Sequence, residues 1–100
     1  MDPELSDIQV ADVVMATSGR EKGMLFYVLS MQENMLFLVN GKARTLENPK
    51  RKKCKHVQKV LRSETRVAEK LRNGDKVLNS ELRRDLAYFG RDMQSNNLEV

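Results

Sequence analysis

Met24-Leu25-Phe26-Tyr27-Val28-Leu29-Ser30-Met31, Gln32-Glu33-Asn34, Met35-Leu36-Phe37-Leu38-Val39 and Asn40-Gly41 form the stretch whose reading decides the fold. Two apolar runs are separated by three polar residues and closed by an Asn-Gly pair. The runs read as strands and Gln32–Asn34 as the turn between them. Asn40-Gly41 predicts a second tight hairpin, because a two-residue type I′ turn needs positive φ at both central positions. Neither run alternates apolar with polar. Both strands are therefore apolar on two faces, one lining an interior and the other needing a cover from elsewhere in the chain.

Upstream, Ser18-Gly19-Arg20-Glu21-Lys22-Gly23 combines two glycines with three charges and reads as a loop. Before it, Ile8–Ala16 is rich in β-branched residues and reads as a strand. Downstream, the Asn40-Gly41 hairpin leads to a fourth strand over 42–46. The basic run Pro49–His56 then forms a loop, and a closing strand covers 56–61. With the others near 10–17, 24–31 and 35–40, these predict a mainly β fold: a small SH3-like antiparallel barrel over residues 8–62, preceded by a flexible arm at 1–7. A two-helix C-terminal tail at 63–92 supplies the cover. Its first helix is predicted over 64–72, capped by Ser63 and stopped at Asn73-Gly74, with Val67, Ala68 and Leu71 on one face. Its second is predicted over 80–89, with Leu82, Leu86 and Phe89 in line and Gly90 as its end. Residues 93–100 read as a frayed C-terminus.

The net charge of +4 is unevenly spread. Residues 42–62 hold nine cations against the single acid Glu47, whereas residues 63–100 balance. Within that block, Pro49-Lys50-Arg51-Lys52-Lys53-Cys54-Lys55-His56 carries five cations, the only His and the only Cys, and no acid. Such a run can serve as a solvated loop. It can also neutralise the phosphates of a nucleic acid and release their counterions. The candidate contact residues are Lys42, Arg44, Lys50, Arg51, Lys52, Lys53, Lys55 and His56, joined by Arg20 and Lys22 if both loops emerge at one end of the barrel. Arg44 and Arg51 are suited to bidentate phosphate contacts or to stacking on an unpaired base, the lysines to point-charge contacts. Gly19, Gly23 and Gly41 are assigned to turn geometry.

Other chemistry is not expected. His56 has no carboxylate or nucleophile at a suggestive spacing, so no catalytic residue is assigned. Cys54 and His56 offer two metal ligands where structural zinc needs four, and no metal or cofactor is expected. Cys54 reads as a small filler whose cationic neighbours lower its thiol pKa. No Gly-rich phosphate cradle precedes a helix, which argues against a nucleotide enzyme. The acidic amino terminus is unlike a signal peptide, no apolar run is long enough to span a bilayer, and a lone Cys excludes an internal disulfide. A cytoplasmic monomer that does not engage membranes is expected.

Val13–Val39, with Gly19-Arg20-Glu21-Lys22-Gly23 between its strands, resembles a KOW motif. The segment from Val39 through Gly41-Lys42-Ala43-Arg44, Pro49-Lys50-Arg51-Lys52 and Lys55-His56 to Val57 resembles the bacterial KOW-domain RNA-binding proteins. Those are similar to eukaryotic-type large-subunit ribosomal proteins. Asn40 stands where Asp is usual, and Lys53-Cys54 where Asn and a variable residue are usual. The resemblance implies an SH3-like barrel and a non-enzymatic role in translation, bound to ribosomal RNA or the ribosome through the basic loop. The residues alone leave a second reading open: an interaction module for an acidic protein surface, for example in a transcription complex.

Overall fold

The structure is a computed structural model that describes residues 7–98, with side chains described as far as Arg91. The expected arm at 1–7, apart from Asp7, and the last two residues lie outside the described residues. Five strands, β1 (Asp12–Ala16), β2 (Leu25–Gln32), β3 (Met35–Val39), β4 (Lys50–Lys53) and β5 (Val57–Arg62), form one antiparallel sheet in the order β4-β3-β2-β1-β5. Two helices follow, α1 (Arg66–Asn73) and α2 (Asn79–Leu98). Four of the five strands fall within a few residues of the sequence expectation.

The fourth strand does not. Residues 42–46 are not a strand, and the basic run expected as a loop is β4 itself. The cause lies at Asn40. Its side chain is 8% exposed, and its Oδ1 accepts from the backbone N–H of Lys42 (3.0 Å) and Arg44 (2.9 Å). The N–H groups of Asn40 and Gly41 both donate to the Arg44 carbonyl (2.8 and 2.9 Å). Asn40 thus closes its own loop, using donors that a hairpin ladder would need. Only Gly41 of the pair has positive φ (77°), so a type I′ turn is absent. The Leu46 N–H is taken by Asn79 Oδ1 of α2 (2.9 Å), and a Cβ at Gly41 would lie 2.2 Å from the Asn79 carbonyl oxygen. The segment is tied to the helix, and β3 takes Lys50–Lys53 as its partner.

β4 and β5 are the two edges of the sheet, yet only the three-residue 3₁₀ turn Cys54–His56 joins them. The turn is bonded at both ends: Cys54 N–H donates to the Asn34 carbonyl, and Thr17 N–H to the His56 carbonyl (both 2.9 Å). Register shifts at Val13/Val14 and Val28/Ser30 add local twist. The sheet is therefore curled, although no ladder joins β4 to β5 among the described residues.

Curling gives the sheet a concave and a convex face. Val14, Ala16, Phe26, Val28, Leu36 and Leu38 line the concave one with Ile8 and Cys54. Val13, Tyr27 and Val39 on the convex face pack with Val67, Ala68, Leu71, Val77, Leu82 and Leu86 of the helical segment. The two-sided apolar character of β2 and β3 has the expected explanation, and the tail is the cover. Two details of the tail differ. Thr65, not Ser63, caps α1, accepting from Ala68 N–H at 3.2 Å. The second helix runs on through Gly90, where a Cβ would meet only Leu25 Cδ1 at 4.0 Å, and reaches Leu98.

Ser63 has another use. Tyr27, fully buried, places its hydroxyl 2.9 Å from Ser63 Oγ and 3.3 Å from Thr65 Oγ1, and donates to Asp85 Oδ2 at 2.8 Å. Thr65 Oγ1 also donates to Asp85 Oδ2 (2.6 Å). One buried phenol thus locks β2 to the start of α1 and to α2. Tyr27→Phe, which strands these partners, should cost about 1–3 kcal/mol in urea unfolding. Burial pushes the Tyr27 pKa up to about 12. A raised folded-state pKa means that the contribution is full below the unfolded value near 10 and is lost as pH rises through 12. The stability gap between wild type and Tyr27→Phe should therefore narrow over that window.

Candidate nucleic-acid interface

Register sorts the cations of the basic run. β4 pairs with β3 as Leu38↔Lys50, Phe37↔Arg51, Leu36↔Lys52 and Met35↔Lys53. Lys50 and Lys52 therefore share the face of Leu36 and Leu38, while Arg51 and Lys53 share the convex face with Phe37 and Met35. Lys52 is not a free surface cation. It is only 9% exposed, and its Nζ donates to the Ser18 carbonyl at 2.8 Å. Gly19, with φ 81°, leaves room for that amine, since a Cβ there would sit 3.3 Å from it. The expectation that Lys52 is an exposed contact residue is corrected: its stem covers the end of the concave core and its head holds loop 17–23.

Loop 17–23 is the hub of the basic surface. It takes the Lys52 ammonium through Ser18 and is bonded to the 3₁₀ turn through Thr17. Its Glu21 receives Arg44 Nη2 at 2.9 Å. That guanidinium, with the charge of Lys50 nearby, holds the Glu21 carboxyl below its usual range, so the pair stays ionised. Arg44, a predicted contact residue, is thus engaged within the fold. Lys59 likewise pairs with the buried Asp12 (3.3 Å), and Arg62 with Glu64 (3.2 Å). The nine cations of the block are reduced to Lys42, Lys50, Arg51, Lys53 and Lys55, none with an ion pair among the described residues. Arg20 and Lys22, on loop 17–23, are exposed and have no ion pair among the described residues.

Lys50, Arg20, Lys22 and the 3₁₀ turn with Lys55 and His56 are gathered round loop 17–23. Lys53 sits further off, beside the β2–β3 turn, where Met35 is its partner. Lys42 lies in the Asn40 loop and lines a groove of about 430 Å³ with Met24, Leu25, Arg83, Leu86 and Ala87. Arg83, which the sequence reading passed over, donates to the Gly41 carbonyl and holds that loop to α2. His56 is partly exposed and contributes its backbone carbonyl to the fold. Gly23 (φ 90°) closes the loop by donating to the Ala16 carbonyl at 2.8 Å. Cys54 is buried at 3% exposure, and burial pushes its thiol pKa up rather than down.

Comparison with protein-family models and with curated proteins found no match for this chain. Among the described residues, no cluster of three or more His, Cys, Asp or Glu is placed to hold a metal ion. No described helix is long and apolar enough to cross a membrane. The engaged lysine gives a direct contrast: Lys52→Ala should destabilise the fold by about 1–2 kcal/mol, through a lost hydrogen bond and lost packing. Lys53→Ala should stay within about 0.5 kcal/mol. Urea unfolding of the two variants separates the structural cation from the surface one.

Proposed function

We propose that this chain is a non-enzymatic RNA-binding module whose basic margin, formed by β4, loop 17–23 and the 3₁₀ turn, contacts phosphates. The observation that carries the reading is that Arg20, Lys22, Lys50, Arg51, Lys53 and Lys55, drawn from loop 17–23, β4 and the 3₁₀ turn, have no ion pair among the described residues. Cations left in water beside one another repel, and a polyanion relieves that repulsion while releasing counterions. Strand order β4-β3-β2-β1-β5, the curl and the short 3₁₀ link between the edges support an SH3-like barrel with an unclosed seam. Translation and ribosomal RNA as the target rest on the KOW resemblance of Gly41-Lys42-Ala43-Arg44, Pro49-Lys50-Arg51-Lys52 and Lys55-His56. A cytoplasmic location accords with that role.

A second reading draws on β4 being an edge strand. Its outward backbone groups and cationic side chains suit an acidic extended peptide added to the sheet. Lysines on an edge also discourage pairing between copies, so the edge has a use without a partner. Sedimentation of a cell lysate at low and high salt, with and without ribonuclease, separates the readings. Co-migration with ribosomal particles at low salt, abolished by ribonuclease, is the expected result. A complex that survives ribonuclease would transfer the module to a protein partner.

A further inference from the structure

We infer that the convex face of the β3–β4 edge is a stacking site for an unpaired base, so that the module selects single-stranded over duplex RNA. The inference rests on the RNA-binding reading and adds the form of RNA bound.

Phe37 is half-buried, yet it belongs to neither core cluster. On the same face, two residues further along, Val39 and its partner Tyr27 pack with the described residues of the helices. Across β4, Phe37 is directly opposite Arg51, and across β2 it is opposite Ser30, which is exposed. Directly opposed side chains have Cβ atoms about 4.5–5.5 Å apart, and diagonal ones about 7–8 Å. The register therefore puts Arg51 opposite the Phe37 ring on this face and Lys53 one pleat further on. Met35, also half-buried and outside both clusters, extends the apolar strip between them.

This arrangement matches what an unpaired nucleotide offers. Its base has an apolar face that stacks on an aromatic ring or guanidinium plane, and its phosphates need cations at the flanks. A duplex hides those faces inside its stack and can use only the cations. Lone exposed aromatics are common and need no purpose. Edge protection by lysines, however, gives no reason for an aromatic in register with the cationic row. An acidic peptide would use the cations and the strand edge but gain nothing specific from the ring.

The test uses the full chain, an oligouridylate of about twelve nucleotides and a self-complementary RNA duplex of equal length. Phe37→Ala and Phe37→Leu should weaken single-strand binding roughly five- to hundredfold, leaving duplex binding and the salt dependence unchanged. Phe37→Tyr, which keeps the ring, should bind as wild type. Phe37→Leu keeps the apolar bulk, so folding is preserved in at least one ring-less variant. If Phe37→Leu binds single strands as wild type does, or weakens duplex binding equally, the stacking site is overturned. The RNA-binding reading has its own control in the combined Lys50→Ala, Arg51→Ala, Lys53→Ala variant. Loss of affinity there with no effect at Phe37 leaves RNA binding standing without the stacking site. Displacement of RNA by oligoglutamate, with no preference for single strands, assigns the face to an acidic protein.

Discussion

A chain cut after Arg62 should give no stable monomer. The sheet would keep its five strands but lose the cover of Val67, Leu71, Val77, Leu82 and Leu86. Burying side chains of this size contributes about 1.5–3 kcal/mol each, or roughly 8–15 kcal/mol gross for the five. A small domain has only about 5–15 kcal/mol of net stability, so the loss is comparable with the whole. Part is offset because the severed residues no longer need ordering. The exposed sheet face is not offset: Val13 and Val39 would meet water, and the Tyr27 hydroxyl would lose Asp85. Size-exclusion chromatography and circular dichroism of the truncated chain should show association or unfolding. A monomeric, cooperatively melting product would mean that the helices serve something other than this face. Leu82→Ala, at a fully buried position, is the point-mutation counterpart and should cost about 2–5 kcal/mol.

The second large effect is expected at the basic margin. The combined Lys50→Ala, Arg51→Ala, Lys53→Ala variant should bind single-stranded RNA about a hundredfold more weakly near 0.1 M salt. Each lost phosphate contact removes ~0.7 of a decade in affinity for every decade of salt below molar. Lys52 is deliberately left in place. Its ammonium is committed to the Ser18 carbonyl, and its removal would confuse a loss of fold with a loss of contact. Arg51 and Lys53 are exposed and should contribute little to stability, whereas Lys50 is half-buried, so a Lys50→Ala single variant is unfolded in urea beside the triple one to separate fold from contact.

Much of the architecture was legible because apolar pattern alone specifies it. β2 and β3 read as strands from unbroken runs that no helix period fits. The need for a second cover follows from Leu25–Leu29 failing to alternate, and Leu82 and Leu86 supply it. What misled was local chemistry judged without its tertiary partner. Asn40-Gly41 has the composition of a hairpin, but the Asn40 side chain spends its acceptor on the Lys42 and Arg44 amides, and α2 takes Leu46. The basic run lacked β propensity and read as a loop. Pairing with β3 overrode that preference, because Leu36 and Leu38 needed a neighbour on the open side. Charge counting located the basic surface but could not rank its members. Lys52 and Arg44 look like the others in sequence, and only the positions of Ser18 and Glu21 in space take them out of the set. The Tyr27–Ser63–Thr65–Asp85 network had no sequence signal, since its members are separated by up to fifty-eight positions and none is unusual alone.

In the proposed interface the unpaired cations of β4 and loop 17–23 act together on a polyphosphate. The most direct measurement of this is the affinity for single-stranded RNA across a salt series, for wild type and the Lys50, Arg51, Lys53 variant. Four to six simultaneous contacts predict a slope of log affinity against log salt of about −3 to −4 for wild type, reduced by about 2 in the variant. A slope near zero in wild type, or one unchanged in the variant, would contradict the account and leave β4 as a charged edge that only keeps its sheet from pairing with another.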